Sequence, residues 1–118
     1  MDTPLDKLVT RICAFRDARD WKQFHTLQNL IASVNIEASE LLELTQWKSA
    51  SEIEEMPSDP HQRSALEQET ADILIYLLLL ADTAGFDIIE AANCKLDLNE
   101  KRYPSDKSRG RATKYTKL

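Results

Sequence analysis

The fold of this chain is decided by residues 69–81, which read Glu-Thr-Ala-Asp-Ile-Leu-Ile-Tyr-Leu-Leu-Leu-Leu-Ala. From Ile73 onward, apolar side chains would lie on every side of a helical cylinder. A helix that is buried all round needs more cover than three neighbours in a small bundle provide. We therefore predict an all-α protein, a four-helix bundle that assembles as a homodimer or as a dimer of dimers.

Helix caps, prolines at first helical positions and apolar residues at helical spacing divide the chain into four helices. The predicted helices are a first that begins at Thr3 and Pro4, a second from about Gln23 to Trp47, a third from Asp59 and Pro60 to about Thr83, which Gly85 ends, and a fourth from about Ile88 to Glu100. We predict a loop over residues 48–59. Because Pro104 closes the helical part, we predict one domain over residues 1–104 and a basic tail over 105–118.

Composition indicates a soluble globular domain. The chain has 118 residues, of which 42% are hydrophobic and 30% charged. No basic and apolar leader is recognised, and the uncharged run at 73–81 is about half the length of a membrane helix. We therefore expect a cytoplasmic protein with no membrane partner. Cys13 and Cys94 are predicted to be free, buried thiols in a reducing compartment.

The net charge of −5 conceals an asymmetry along the chain. Residues 1–100 hold 8 basic and 19 acidic side chains, a balance of −11, whereas residues 101–118 hold 7 basic and 1 acidic, a balance of +6. Such a basic tail is either a solvated end or an arm that folds over a polyanion, such as the phosphate chain of a nucleotide. No nucleic-acid partner is expected, because the acidic body would repel a duplex.

Two acidic pairs, Glu37/Glu40 and Glu69/Asp72, border apolar stripes of the second and third helices. Residues three apart lie on one helix face. Carboxylates at the edge of a core are unfavourable unless they are protonated, paired or bound to a cation. The all-oxygen set predicts a site for Mg²⁺, with Mn²⁺ as the alternative. The competing interpretation is a solvated acidic face on a non-catalytic helical interaction module.

Aromatic and polar residues share these faces. Tyr76 lies in line with the acids of the third helix, and indole or phenol rings stack well on flat ligands such as nucleobases. The alternative interpretation is that such an aromatic residue at helical spacing packs in the core. Both interpretations, ligand stacking and core packing, stay open. At 100° per residue, one sector of the second helix holds Asn29, Ser33, Glu37, Glu40 and Trp47.

Several motifs occur together in a fixed order. They are Arg19-Asp20-Trp21-Lys22-Gln23-Phe24-His25, Asn29-Leu30, Glu37-Ala38-Ser39-Glu40-Leu41, Gln46-Trp47-Lys48, the run 67–77, and the C-terminal set Lys95, Asp97, Asn99, Lys101-Arg102-Tyr103-Pro104 and Lys114-Tyr115. From about residue 5 to the end, the chain resembles the MazG-like nucleotide pyrophosphohydrolases, and most closely their dCTP pyrophosphatase subgroup. One position departs from the fuller family motif, since Ile36 stands where a second Glu is usual.

This resemblance implies the all-α NTP pyrophosphatase fold and a role in nucleotide pool clean-up. The implied reaction is Mg²⁺-dependent hydrolysis of (deoxy)nucleoside triphosphates such as dCTP to monophosphate and pyrophosphate, by attack of an activated water on the α-phosphorus. A nucleotide such as dUTP or one with an oxidised base is the alternative substrate. The implied catalytic and metal-binding residues are Glu37, Glu40, Glu69 and Asp72. The implied substrate-binding residues are Trp21, His25, Asn29, Trp47, Tyr76, Lys95, Asn99, Arg102 and Tyr103.

Overall fold

The computed structural model describes residues 2–118, and every regular element in this range is helical. The prediction of an all-α protein is therefore confirmed, whereas the four-helix bundle stays a prediction. The chain divides into two compact units, one up to Gly85 and one from Phe86 to Leu118. The α-helices are α1 (Pro4–Ala18), α2 (Leu27–Glu43), α3 (Ala50–Glu55), α4 (Pro60–Ala84), α5 (Ile88–Arg102) and α6 (Ser105–Ser108). The 3₁₀ turns are Lys22–Phe24, Met56–Ser58 and Tyr115–Lys117.

Helix α1 begins as its sequence predicts. The Thr3 hydroxyl accepts a hydrogen bond from the backbone N–H of Asp6 at 3.1 Å, and the Asp6 carboxylate accepts one from the backbone N–H of Thr3 at 3.0 Å. This capping box satisfies two amide donors that have no partner inside the helix, and Pro4 occupies the first turn, where a missing N–H has no consequence. The predicted start of the first helix is confirmed.

Helix α4 also has the predicted ends. The Asp59 carboxylate accepts a hydrogen bond from the backbone N–H of Gln62 at 2.9 Å, directly before Pro60. Gly85 ends the helix with a φ of 79°, in the left-handed region where a side chain would be strained. Within the described residues 2–118, no helix has both the length and the apolar character that crossing a bilayer requires.

Helix α2 is shorter than predicted at both ends. It begins after Thr26, whose hydroxyl accepts a hydrogen bond from the backbone N–H of Asn29 at 3.1 Å, and it ends at Glu43. The predicted range of about Gln23 to Trp47 is therefore wrong. A threonine cap competes with continuous helix at the start, and the left-handed backbone of Trp47, with a φ of 65°, cannot belong to a right-handed helix.

The predicted loop over residues 48–59 is wrong, because it contains α3 and a 3₁₀ turn. The Ser49 hydroxyl accepts a hydrogen bond from the Glu52 backbone N–H at 3.2 Å, and the Glu52 carboxylate accepts one from the Ser49 backbone N–H at 3.3 Å. A serine followed three residues later by a glutamate is the sequence pattern of a capping box, so this helix start could have been predicted. Because so short a helix is marginal alone, burial of Met56 directly after it supplies the packing that stabilises it.

The core of the first unit lies where α4 packs against α2 and α1. Helix α2 makes the more extensive contact with α4. The buried apolar side chains are Ile12, Leu30, Met56, Leu78, Leu79 and Ala81. Three of these six belong to the apolar run of α4, whereas Leu74 of the same run is 42% exposed, so the run is not buried on every side within one chain.

One charged side chain is buried within this core. Arg16 of α1 is 4% exposed. Its Nη1 donates to the Asp82 carboxylate of α4 at 3.1 Å, and its Nε donates to the Asp17 carboxylate at 2.8 Å. A buried guanidinium is tolerated only when its charge and its donors are satisfied. The Arg16–Asp82 pair therefore connects α1 to α4.

Replacement of Asp82 by alanine should lower the free energy of unfolding by about 2 kcal/mol, because part of a buried charge loses its partner. Urea denaturation monitored by circular dichroism measures this loss. The matched control is Glu67→Ala, which removes the partner of exposed Arg63 in an ion pair of 3.0 Å. That change should cost less than about 1 kcal/mol. Equal losses in the two variants would contradict a structural role for the buried pair.

The second unit is built on α5. The Asp87 carboxylate accepts hydrogen bonds from the backbone N–H groups of Ile89, at 2.8 Å, and Glu90, at 3.0 Å, which confirms the predicted start of the fourth helix. Pro104 does not close the helical part as predicted, since α6 and a 3₁₀ turn follow it. The predicted boundary between the domain and the tail stays a prediction.

The two thiols differ in exposure. Cys13 is half-buried and Cys94 is exposed. The prediction that both are buried is therefore wrong for Cys94, because the face of α5 that carries it is not covered.

Candidate functional site

Three carboxylates meet where α2 lies against α4. Glu37 and Glu40 project from α2, and Glu69 projects from α4. Each offers one oxygen, and these oxygens lie within 4.8 Å of one another. All three side chains are half-buried. Packing of the two helices thus brings together both members of the first predicted acidic pair and one member of the second.

Two oxygens of this cluster have no internal partner. Oε2 of Glu37 and Oε2 of Glu69 are buried, and neither accepts a hydrogen bond from any described residue. A buried carboxylate oxygen without a partner is unfavourable unless a cation or a proton satisfies it. Carboxylate oxygens are also the ligands that Mg²⁺ and Mn²⁺ prefer. The residues present therefore fit a hard divalent cation.

The electrostatics of the cluster favour an added positive charge. Burial raises the pKa of Glu37 to about 7, helped by a hydrogen bond with the Glu40 carboxyl group and by the charges of Glu40, Asp72 and Glu69. Burial likewise raises the pKa of Glu69, together with the charge of Glu40 and a hydrogen bond with it. Without a cation, the cluster therefore retains a proton near neutral pH.

Asp72, the fourth predicted ligand, lies one turn after Glu69 on α4 and is half-buried. Its carboxylate is not among the three mutually close groups. Its charge nevertheless contributes to the raised pKa of both Glu37 and Glu69, so it belongs to the same electrostatic site. The ligand roles of all four acids stay predictions.

Trp21 and Asn29 fasten the segment between α1 and α2. The ring of Trp21 meets the ring of Phe15 edge-on, with centroids 5.7 Å apart, and its backbone N–H donates to the carbonyl of Arg16 at 3.1 Å. The side-chain amide of Asn29 donates to the carbonyl of Phe24 at 2.9 Å. Trp21 stays partly exposed and presents free indole surface, whereas one Asn29 donor is engaged within the protein.

His25 has an unengaged ring nitrogen. It is half-buried, and its Nδ1 is buried without a hydrogen-bond partner among the described residues. Burial lowers the pKa of His25, with a further contribution from the charge of Arg16. The imidazole is therefore neutral at pH 7 and retains one free polar atom for a ligand.

Trp47 does not lie on the α2 face to which the helical projection assigned it. Helix α2 ends at Glu43, and Trp47 follows in left-handed backbone with 93% of its surface exposed. A bulky residue with positive φ is unusual, and an indole so exposed has no packing reason in this chain to be there. Tyr76 lies half-buried on α4, one turn after Asp72. The substrate roles of Trp47 and Tyr76 stay predictions.

The remaining predicted substrate residues lie in the second unit. Lys95, Asn99 and Arg102 follow one another at spacings of four and three along α5, which places them on one helix face. Lys95 is exposed, while Asn99 and Arg102 are half-buried. Tyr103 follows at the C-terminal cap of α5 and is partly exposed. Their substrate roles stay predictions.

Tyr115 contacts two of these residues, although the sequence motifs imply no separate role for it. The guanidinium of Arg102 lies over its ring, and the ring of Tyr103 meets it edge-on. An aromatic residue among the basic residues of the tail could have indicated a cation–π contact of this kind.

Known proteins resemble this chain over most of its length. The sequence model of the MazG-like family matches residues 32–118. The dCTP pyrophosphatase 1 of Bos taurus is 46% identical over 104 residues, which cover 88% of this chain and 62% of the relative. The dCTP pyrophosphatase 1 of Homo sapiens is 41% identical, with 88% and 61% covered. The chain thus spans about three fifths of the length of the curated relatives it matches.

A solved structure has the same fold. The crystal structure of a pyrophosphatase from Archaeoglobus fulgidus, at 1.80 Å resolution, superposes with a TM-score of 0.81 and 40% sequence identity, covering 88% of this chain and 95% of the other. The family model and the superposition agree with the motifs in the sequence. The chain belongs to the MazG-like family.

Proposed function

We propose that this protein is a nucleoside triphosphate pyrophosphohydrolase. It cleaves a (deoxy)nucleoside triphosphate such as dCTP into the monophosphate and pyrophosphate and thereby cleans the nucleotide pool. The observation that carries this proposal is the convergence of Glu37, Glu40 and Glu69, two of them with unpartnered buried oxygens. The substrate class is supported by the relatives named dCTP pyrophosphatase 1 and by the archaeal pyrophosphatase.

Glu37, Glu40, Glu69 and Asp72 would hold Mg²⁺ at the acidic cluster. When bound, Mg²⁺ supplies the positive charge that draws the triphosphate to an acidic site and polarises both the α-phosphorus and a water molecule. One of the four carboxylates orients that water in line with the α-phosphorus and accepts its proton during attack. No side chain forms a covalent bond to phosphorus, because positioning and charge stabilisation are sufficient for phosphoryl transfer.

The other predicted residues bind the rest of the nucleotide. Lys95, Asn99 and Arg102 of α5 contact the phosphates, and Tyr103 contacts phosphate or sugar, since cationic and amide donors suit phosphate oxygens. The residues that line the base pocket are Trp21, His25, Trp47 and Tyr76. The base-pocket assignment is supported by the exposed ring surface of Trp21 and Trp47 and by the unpartnered ring nitrogen of His25.

The protein works as a homodimer or a dimer of dimers. Leu74 of α4 is 42% exposed and lines a largely apolar surface cavity of about 470 Å³ together with Leu66 and Ala71. A second apolar cavity, of about 290 Å³, is lined by Ile75 and Phe15 on α4 and α1. Because exposed apolar surface favours association, a second copy of the chain is the partner that these faces support. Sedimentation velocity distinguishes monomer, dimer and tetramer.

The decisive experiment is a panel of nucleoside triphosphates incubated with Mg²⁺, in which pyrophosphate and orthophosphate are measured separately. We expect pyrophosphate and the monophosphate from at least one deoxynucleotide, and dCTP, dUTP and oxidised nucleotides belong in the panel. Orthophosphate as the only inorganic product would contradict attack on the α-phosphorus. Absence of both products, together with no stabilisation by Mg²⁺ or Mn²⁺, would instead indicate a helical interaction module.

Replacement of Trp47 by alanine should raise KM by about tenfold and change kcat by less than about twofold, because stacking contributes equally to substrate and transition-state binding. Steady-state kinetics with the preferred nucleotide measures both constants. Phe24→Ala removes another exposed aromatic side chain of the first unit and should leave KM unchanged. An unaltered KM for every base in the Trp47 variant would argue against stacking at this position.

A further inference from the structure

Aromatic contacts fasten the C-terminal tail, residues 105–118, to the end of α5. The ring centroids of Tyr103 and Tyr115 lie 5.8 Å apart, at an interplanar angle of 78°. The guanidinium carbon of Arg102 lies 4.8 Å from the centroid of the same Tyr115 ring. Both distances are typical of favourable edge-to-face and cation–π contacts. One side chain of the tail therefore contacts two consecutive residues at the end of α5.

The tail that Tyr115 attaches to the end of α5 has an excess of positive charge. Residues 105–118 contain five basic side chains and one acidic side chain. None of these cations forms an ion pair in the described part of the chain. The backbone N–H of Lys117 donates to the carbonyl of Lys114 at 2.9 Å, which closes a short 3₁₀ turn around Tyr115. Lys114 therefore directly precedes this turn and Lys117 ends it, on either side in sequence of the ring that contacts Arg102. Such a group of positive charges attracts polyanions.

We infer that Tyr115 is a positioning residue for polyphosphate, because it holds Arg102 and the turn Tyr115–Lys117 together as one cationic patch. The inference rests on the proposed function, in which Arg102 contacts the phosphates. Tyr115 acts through Arg102 and carries no charge itself. A guanidinium already held on a ring loses less rotamer freedom when it binds phosphate, so the contact increases affinity.

The test uses the full chain with Mg²⁺ and measures the binding of inorganic tripolyphosphate by isothermal titration calorimetry. We expect Tyr115→Ala to weaken binding by about tenfold. Tyr115→Phe should bind as the unaltered protein does, because the ring makes both contacts without its hydroxyl. Phe86→Ala is the matched control. It removes a ring that is 49% exposed, against 37% for Tyr115, before the other end of α5.

A double-mutant cycle separates positioning from general support of the fold. If Tyr115 acts through Arg102, adding Tyr115→Ala to Arg102→Gln should weaken binding by less than about twofold further. Full additivity of the two losses would overturn the inference, because it would mean that Tyr115 acts independently of Arg102. Equal affinities of Tyr115→Ala and the unaltered protein would also overturn it, as would a failure of the unaltered protein to bind tripolyphosphate.

Hydrolysis of nucleotides by the same samples distinguishes this inference from the proposed function. Binding that depends on Tyr115, with no hydrolysis by any sample, supports the cationic patch and contradicts the proposed enzyme activity. If the samples hydrolyse nucleotides but bind tripolyphosphate equally well with and without the Tyr115 ring, only the positioning role of Tyr115 is contradicted.

Discussion

Glu40→Gln should lower the Mg²⁺-dependent kcat/KM for the preferred triphosphate by a factor on the order of 10³, because the cluster loses one of its negatively charged ligands. Glutamine keeps the size and shape of the side chain, but it replaces one acceptor oxygen by an NH₂ donor and cannot carry the charge that holds the cation. The circular dichroism spectrum should be unchanged. Initial rates of pyrophosphate release measure the loss, at Mg²⁺ concentrations from micromolar to tens of millimolar.

Glu54→Gln is the control for this change. Glu54 is an exposed acid of α3 and is not among the three clustered carboxylates, so the same loss of charge there should leave kcat/KM within about twofold. If Glu40→Gln and Glu54→Gln had similar activities, the cluster would not be the catalytic metal site. Full activity of Glu40→Gln at every Mg²⁺ concentration would give the same answer.

The affinity for Mg²⁺ should fall by about tenfold for each pH unit below 7, because the cation must displace a proton from the acidic cluster. The pKa of Glu37 in the metal-free protein is raised to about 7, mainly by burial. The pKa of Glu69 is also raised, mainly by burial. Isothermal titration calorimetry between pH 6 and 8.5 should show proton release that decreases toward zero at the alkaline end. Equal affinities at pH 6 and 8 would contradict the assignment.

The same shift predicts how the stability of the metal-free protein depends on pH. The ordinary pKa of this side chain is 4.5, and its value in the folded protein is about 7. Between these values the folded state binds more protons than the unfolded state. The stabilisation from this proton is therefore complete below pH 4.5 and is lost as the pH rises through 7. Glu37→Gln should lack this loss, Glu54→Gln should retain it, and saturating Mg²⁺ should restore stability above pH 7.

Local features of the sequence predicted much of the helical structure. Thr3, Asp59 and Asp87 each accept hydrogen bonds from amides within three residues, so the helix starts that they define depend on short segments alone. Errors arose where two local signals competed or where a signal was overlooked. Thr26 starts a new helix inside an apolar pattern that appears continuous, and Ser49 caps a short helix inside an apparent loop.

The candidate site was predictable only in part. The spacing of Glu37 and Glu40 places both on one helix face whatever the rest of the chain does. Whether Glu69 lies close to Glu37 and Glu40 depends on the relative position and rotation of α2 and α4. The packing of apolar side chains from both helices determines that arrangement. The position of Trp47 was mispredicted for a related reason, since its left-handed backbone follows the end of α2 and breaks the helical projection.

The sequence by itself determined that the chain is helical, where most helices begin, which acids share a face, and to which family the motifs belong. Tertiary structure alone decided that Glu69 meets the acids of α2, that Arg16 pairs with Asp82 across 66 residues, and that Tyr115 lies against Arg102. The difference has a physical cause. Caps and helix faces depend on hydrogen bonds and periodicity within a few residues, whereas contacts between distant residues depend on burial of apolar surface shared by several helices at once.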